Sequence, residues 1–291
     1  MKVYGRLGRL EVGDDFPVRI MGVLNVSPES FYKGSVAVGD DVVREFALRM
    51  IAEGCDLIDI GGRSTAPYLN TEVSVDEEVR RVVNAVKIVR DLTNLPISVD
   101  TFRSKVAEEA LKVGADIIND VTGLKGDEGM VNVVKEYQPS LIVCAKDVKP
   151  GITPTTEPIE RVLTSLKVTL NILEKVDYDL SKVVVDPCIG FFRYQEIPWY
   201  IWDLKVLANL KRLRELGRPI AVGVSRKSFI GVLTGREKPE ERLYGSLALT
   251  SVAILCGAHI IRTHDVLPTK DVVKAVEGFK KYGIPINITY A

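Results

Sequence analysis

Short, nearly uninterrupted apolar runs alternate along the chain with longer stretches whose apolar residues recur every three or four positions. The first run, Ile20-Met21-Gly22-Val23-Leu24, reads as a buried strand, and residues 40–53, DDVVREFALRMIAE, follow it with helical spacing. The same two-part unit returns as CDLIDI with 76–92, PISV with 103–114, ADIIN with 127–137, and SLIVCA with a long helix near 157–175. It continues as KVVV with a helix near 199–216, PIAVGV with 241–257, and HIIRT with 269–283. Apolar strands joined by helices predict a parallel sheet covered by helices. Eight such units predict an α/β protein of the single (β/α)8 TIM-barrel type; a doubly wound open sheet usually has fewer strands. No Gly/Ser/Pro-rich linker divides residues 1–291, which are read as one domain. Residues 1–18 precede the first strand and are expected to form a hairpin capping the barrel floor.

Every strand runs out into polar residues. In order these are Asn25; Asp59 with Gly61-Gly62-Arg63-Ser64-Thr65; Asp100-Thr101; Asn119-Asp120; Lys146-Asp147; Asp186; Ser225-Arg226-Lys227; and Arg262 with His264-Asp265. In a barrel these ends converge on one face, where such folds keep their active sites. A single Asp or Asn there commonly caps the next helix. Arg-x-His alone is weak evidence, and Ser-Arg-Lys before a helix reads equally well as surface charge. Several carboxylates, two amides, a lysine and an Arg–His pair around one mouth require more than capping. They fit a polar ligand that forms many hydrogen bonds.

Part of the chemistry follows from residue type. Arg262, His264 and Asn25 belong to the last and first strands, which become neighbours on closure. Arginine offers a fork to phosphate oxygens and histidine a second donor. Asn25 supplies a neutral oxygen suited to Mg²⁺, which takes few protein ligands plus phosphate. Asp100, Asn119, Asp186 and Lys227 can present donors and acceptors at several angles to a flat heterocycle. The mouth would then hold an anion at one wall and the heterocycle at the other.

Composition narrows the alternatives. The chain has 46% apolar and 27% charged residues, enough for a substantial core. Its net charge of zero provides no field to attract nucleic acid or an anionic membrane. No apolar run approaches the roughly 20 residues of a membrane span, and the start lacks the apolar stretch of a signal peptide, so a cytoplasmic protein is expected. Cys55, Cys144, Cys188 and Cys256 form no Cys-x-x-Cys pair, which argues against structural zinc. Cys144 and Cys256 sit in apolar runs and read as buried, reduced thiols.

The strand ends carry motifs that resemble those of the dihydropteroate synthase family, from residue 20 to about 267. MGVLNVSPESF is similar to Met-Gly-Val-x-Asn-Val-Thr-Pro-Asp-Ser-Phe, and DLIDIGGRSTAP to Gly-Gly-Glu-Ser-Thr-Arg-Pro. PISVDTFRSKVAEEALKVGADIINDVTG is a long match, VDPCIGFFR resembles Asp-Pro-Gly-Ile-Gly-Phe-Gly-Lys, GVSRKSFIG matches closely, and IIRTHDV resembles Arg-Val-His-Asp-Val. The resemblance implies an enzyme, a transferase of folate biosynthesis. It joins 6-hydroxymethyl-7,8-dihydropterin diphosphate to p-aminobenzoate and releases diphosphate, with Mg²⁺. By position it implies that Asp100, Asn119, Asp186 and Lys227 hold the pterin. It also implies that Asn25, Arg262 and His264 hold the diphosphate and its metal, with Thr65 beside them. Ser228 would face the carboxylate of the aminobenzoate. Asp100, Lys227, Arg262 and His264 are the catalytic candidates: a carboxylate stabilises the pterin-methylene cation left by diphosphate, while cations and donors stabilise the departing anion. The loops at about 26–39 and 62–74 are long enough to fold over the site and exclude water.

Five departures from the family pattern cluster on the side of the second substrate. Ala66 replaces an arginine, with Arg63 standing three residues earlier at the family's glutamate; Phe192 stands where the family has glycine, with Arg193 keeping the charge. Cys188 also replaces a glycine, CAKDVKPGIT lacks the usual Met-His pair, and FYKGSVAV lacks Ser-Asp-Gly-Gly. The expectation is a retained pterin and an acceptor not restricted to plain p-aminobenzoate; a ribosylated or otherwise enlarged arylamine is one form. Two alternatives are a pterin-dependent methyltransferase and a non-catalytic pterin-binding protein. A methyl donor needs no diphosphate site, which sets Lys227-Ser228 and Arg262-x-His264 against the first. His259 reads as a core or floor residue, and helix packing explains most of the aromatic cluster at Phe191–Trp202. The helix RLYGSLALTSVAILCG, 242–257, is apolar nearly all round, which predicts a homodimer through that face.

Overall fold

The computed structural model describes residues 2–27, 34, 36–37, 39–63, 73–146, 157–191 and 197–283. Eight strands pair in parallel: β3 (Arg19–Asn25), β4 (Leu57–Gly61), β5 (Ile97–Asp100), β6 (Ile117–Asp120), β7 (Ser140–Cys144), β8 (Val183–Asp186), β9 (Ala221–Val222) and β10 (Ile260–Thr263). Their order is β8-β7-β6-β5-β4-β3-β10-β9. A parallel bridge between Val185 and Ile220 joins the two end strands. There the Val185 N–H donates to the Pro219 carbonyl at 2.9 Å, closing the ring. The expected α/β barrel is present, jacketed by α1 (Asp40–Glu53), α2 (Val75–Leu92), α3 (Ser104–Lys112), α4 (Met130–Tyr137), α5 (Pro158–Glu174), α6 (Trp199–Ala208), α7 (Ser228–Thr234), α8 (Leu243–Leu255) and α9 (Val266–Tyr282).

Successive residues of a strand face opposite sides, so each barrel strand divides its residues between the helices and the interior. Ile58, Ile60, Ile118, Val185 and Ile261 pack in the cluster that includes the helices. Leu57, Ile117, Ile142, Val184 and Ile260 form a separate interior layer. The expected hairpin, β1 (Tyr4–Leu7) and β2 (Leu10–Gly13), inserts the fully buried Leu7 and Val12 into this layer. The hairpin is pinned in place: the Gly8 N–H donates to Ser140 Oγ at 2.9 Å. Asp14 accepts two 2.7 Å bonds from Arg214. His259 is a floor residue, as expected, with Nε2 3.2 Å from Asp14 and Nδ1 accepting from the Ile220 N–H.

Among the boundaries that differ from the sequence reading, three have a clear local reason. The helix expected near 199–216 stops at Ala208, where the Asn209 side chain donates to the Lys205 carbonyl at 2.8 Å; Leu210–Leu216 continues as a 3-10 helix. PIAVGV contributes only Ala221–Val222 to the sheet, since Gly223 leaves it against Arg262. The last helix begins at Val266 rather than 269, because Pro268 falls in its first turn, where no amide donor is needed.

Candidate active site

Two positions beyond the apolar layer, the same strands turn polar residues inward. Leu57 is followed by Asp59, Ile117 by Asn119, Val184 by Asp186 and Ile260 by Arg262. The alternation that builds the floor therefore also builds the mouth. Arg262 is the hub of this layer. Its Nε donates to Asp59 Oδ2 at 2.7 Å and its Nη2 to Asp100 Oδ2 at 2.9 Å. Asn119 Nδ2 donates to both Asp59 oxygens at 3.4 and 3.2 Å. Asp100 Oδ1 is buried and has no hydrogen-bond partner among the described residues. Burial pushes the Asp100 carboxyl well above its usual range against the pull of Arg262, with the Asp59 charge adding to the rise. Burial also works against the Arg262 charge, but Asp59 and Asp100 outweigh it and raise the guanidinium further.

Above this layer lies a cavity of ≈ 380 Å³, counting space open to solvent, lined by Asp100, Asn119, Asp186, Lys227 and Arg262 together with Cys144, Cys188 and Phe191. Its mixed lining, with polar groups converging between apolar walls, suits a small heterocycle. Lys227 Nζ donates to the Ile189 carbonyl and stands 4.6 Å from the Phe191 ring centroid. Burial lowers the Lys227 ammonium, opposed by Asp186; burial raises the Asp186 carboxyl, opposed by Lys227. Each charge favours the other against the cost of burial. The turn after Asp186 is held by two bonds: Cys188 N–H donates to Asp186 Oδ1 at 2.6 Å and Gly190 N–H to buried Asp203 at 2.9 Å. Cys188 lies at φ 63°, in the left-handed region where a side chain costs energy. That accounts for glycine at this position in the family pattern. The Cys188 thiol is buried between Cys144 and the Val121 carbonyl, and all four cysteines are buried and outside any disulfide.

The loops after β9 and β10 form the opposite wall. Arg226, buried at φ 57°, makes a two-pronged ion pair with Asp265 at 2.8 and 2.7 Å and donates to the Pro239 and Glu240 carbonyls. Surface charge is therefore not its role; it clasps the two loops together. Beside it, Ser225 Oγ lies 2.9 Å from His264 Nδ1. Burial, then the positive charges of Arg262, Arg226 and Lys227, push the His264 imidazole down to about 3. Asn25 ends β3 half-buried, its carbonyl accepting from the Ala37 N–H at 2.8 Å. A Cβ at Gly61 would stand 3.0 Å from Asn25 Oδ1, so the glycine admits the amide.

The structure thus brings Asp100, Asn119, Asp186, Lys227 and Arg262 to one cavity. His264 stands on the adjoining wall, and half-buried Ser228 opens α7 directly after Lys227. Arg262 sits in the floor of that cavity with its guanidinium bonded to Asp59 and Asp100. Thr65, Ala66, Phe192 and Arg193 lie outside the described residues, as do most of the loops at 26–39, 62–74 and 147–156. Arg63 is described; its guanidinium lies 4.9 Å from the Phe102 ring centroid. Asp59 was legible only as one more polar strand end. Its bonds to Arg262 and Asn119 join residues 203 and 60 positions away, and no local spacing signals them.

Comparison with known proteins agrees with this geometry. A family model described as "Pterin binding enzyme" matches residues 21–264. A dihydropteroate synthase of Clostridium beijerinckii is 36% identical over 259 residues, covering 89% of this chain and 93% of the relative. Among solved structures, the Xanthomonas albilineans dihydropteroate synthase with 4-aminobenzoic acid superposes with a TM-score of 0.84 at 34% identity, covering 98% of this chain and 100% of that one. The same enzyme in complex with 7,8-dihydropteroate gives a TM-score of 0.79 at 33% identity, covering 92% and 95%. With strand ends, cavity and whole-length similarity in agreement, the chain belongs to the pterin-binding enzymes of the dihydropteroate synthase family.

Proposed function

We propose that this chain condenses 6-hydroxymethyl-7,8-dihydropterin diphosphate with p-aminobenzoate or a related arylamine and releases diphosphate. The observation that carries the reading is the buried polar layer above the floor, whose Asp100 Oδ1 awaits a donor, in a chain that resembles dihydropteroate synthases almost end to end. The pterin edge carries an amino group beside a ring N–H. Asp100 and Asp186 offer acceptors for it, and Asn119 and Lys227 complement its carbonyl and ring nitrogens. Binding lowers the cost of the buried layer by giving the unpartnered oxygen its hydrogen bond.

The C–O bond to diphosphate breaks with its electron pair on the leaving oxygen, and the arylamine nitrogen takes the vacated methylene carbon. The amine proton leaves after the C–N bond forms. Asp100 and Asp59 place negative charge under the pterin as the methylene becomes electron-poor, while Arg262 and His264 supply a cation and a donor for the departing anion. No covalent enzyme intermediate is required. The donor set fits Mg²⁺: Asn25 offers one neutral oxygen, which suits an ion whose other oxygens come from diphosphate and water. When bound, Mg²⁺ offsets leaving-group charge. Thr65 and Ser228 complete the reading as contacts to the diphosphate and to the acceptor's carboxylate.

Mixing the protein with the pterin diphosphate, p-aminobenzoate and Mg²⁺ should release one diphosphate per dihydropteroate formed. A panel of arylamines then ranks the acceptors. Absence of diphosphate release with every arylamine would overturn the reading. The same reading places the protein in the cytoplasm as a single-domain homodimer. Among the described residues no helix is long and apolar enough to cross a membrane. Tyr244 (82% exposed), Val252 and Leu255 (both 37%) leave one face of α8 uncovered, beside exposed Val232 and Leu233 of α7. Light scattering at micromolar concentration should return twice the 32.2 kDa chain mass.

A further inference from the structure

We infer that Ser225 is a positioning residue: its hydroxyl holds His264 in the Nε2–H tautomer, so that the imidazole meets the departing diphosphate as a neutral N–H donor. The inference rests on the proposed role of His264 at the diphosphate and goes beyond it by naming what prepares that side chain.

The assignment comes from counting donors. Ser225 Oγ is buried and has two partners among the described residues, both on His264: the backbone N–H at 3.2 Å and Nδ1 at 2.9 Å. The backbone N–H can only donate, so it occupies a lone pair on Oγ. If Nδ1 also carried hydrogen, the serine would accept twice, and its own buried hydroxyl hydrogen would have no acceptor. A buried donor left unmade is costly. The hydroxyl therefore donates to Nδ1, and the ring hydrogen sits on Nε2. The cations Arg262, Arg226 and Lys227 disfavour a second proton on the ring.

The contact is built on a fixed frame. Ser225 precedes Arg226 and His264 precedes Asp265, and those two neighbours form the two-pronged ion pair that clasps the β9 and β10 loops. Arg226 N–H is itself held by Ser246 Oγ of α8 at 2.8 Å. Serine and imidazole are thus presented to one another by the backbone, and the hydroxyl selects which ring nitrogen is protonated. A neutral donor suits this wall, where Arg262 and Lys227 already supply charge.

The test is nitrogen NMR of protein carrying ¹⁵N-labelled histidine. The chain has only two histidines. His259, whose Nδ1 accepts from Ile220, serves as an internal reference with the same tautomer. Wild-type His264 should show a bare Nδ1 and a protonated Nε2. In Ser225→Ala the two His264 nitrogens should move towards averaged values while His259 stays unchanged, which also reports that the fold is intact. Loss of a positioning contact should lower kcat roughly ten- to hundred-fold while changing KM for the pterin diphosphate by less than about threefold. Ser225→Thr, which keeps the hydroxyl, should restore both. A wild-type His264 protonated on Nδ1, or an unchanged tautomer in Ser225→Ala, would overturn the inference. Absence of diphosphate release by the wild type would remove the proposed reaction instead, and the spectra would still decide the tautomer.

Discussion

The two ends of the barrel use the same three residue types to opposite effect. At the floor, Asp14 accepts from Arg214, from the Val3 N–H and from His259, so its carboxyl is held well below the ordinary range, the Arg214 bonds contributing most. At the mouth, Asp100 shares one guanidinium with Asp59, keeps a buried oxygen unpartnered and is pushed upward by burial. His259 at the floor has both ring nitrogens in fixed bonds that hold a strand end to the hairpin. His264 at the mouth is held neutral among three cations. A polar cluster whose members are all satisfied holds a structure together. One that is buried before it is satisfied is waiting for a ligand.

Substitution separates the two kinds of cluster. Asp100→Asn should lower kcat/KM by about 10²–10³, since under the proposed mechanism it removes charge aimed at the reacting methylene. Its melting temperature should be unchanged or raised, and parallel kinetics and calorimetry check both. Asp14→Ala should do the reverse. It leaves the Val3 N–H and His259 without their partner, costing about 1–3 kcal/mol, or roughly 3–10 °C in melting temperature. Its turnover should stay within about twofold of wild type, the floor taking no part in transition-state binding.

Acid titration distinguishes the two ends by sign. Asp14 is lowered from its ordinary value of 3.8, so its stabilisation is complete above that pH and disappears as pH falls through the folded value. Asp100 and Asp186 are raised from 3.8, so they cost stability as pH climbs from there through their folded values. Denaturant melts between pH 2 and 8 should therefore show the deficit of Asp14→Ala relative to wild type shrinking as pH falls below 3.8. Asp186→Asn should gain on wild type as pH rises; equal slopes for the two variants would erase the contrast between floor and mouth. The smallest effect is expected from Gly61→Ala. Its new Cβ, 3.0 Å from Asn25 Oδ1, must displace the amide by a few tenths of an ångström. A few-fold rise in the Mg²⁺ concentration for half-maximal rate is expected, as small misplacements at a site are felt in rate.

Much of the fold could be read from the chain. Among the described residues, the eight apolar runs, the main span of most of their helices and the plug at residues 1–18 stand where strand and helix periodicity indicated, while α7 at Ser228–Thr234 did not show in it. Asp100, Asn119, Asp186 and Lys227 share one cavity. What was not legible depends on distance in sequence: Asp59 meeting Arg262, Ser225 meeting His264, and Arg226 turning inward to Asp265 rather than outward to water. The left-handed backbone at Cys188 was equally hidden, because cysteine carries no conformational signal there, whereas glycine would have.

By itself the sequence determined the barrel and which residues end its strands, because alternation along a strand and the three-to-four spacing of a helix are local properties of the chain. Only the tertiary structure decided which polar ends are satisfied and which are left wanting. That depends on closure of the ring, which brings strands from opposite ends of the chain within hydrogen-bonding distance and removes the water that would otherwise have kept every carboxylate content.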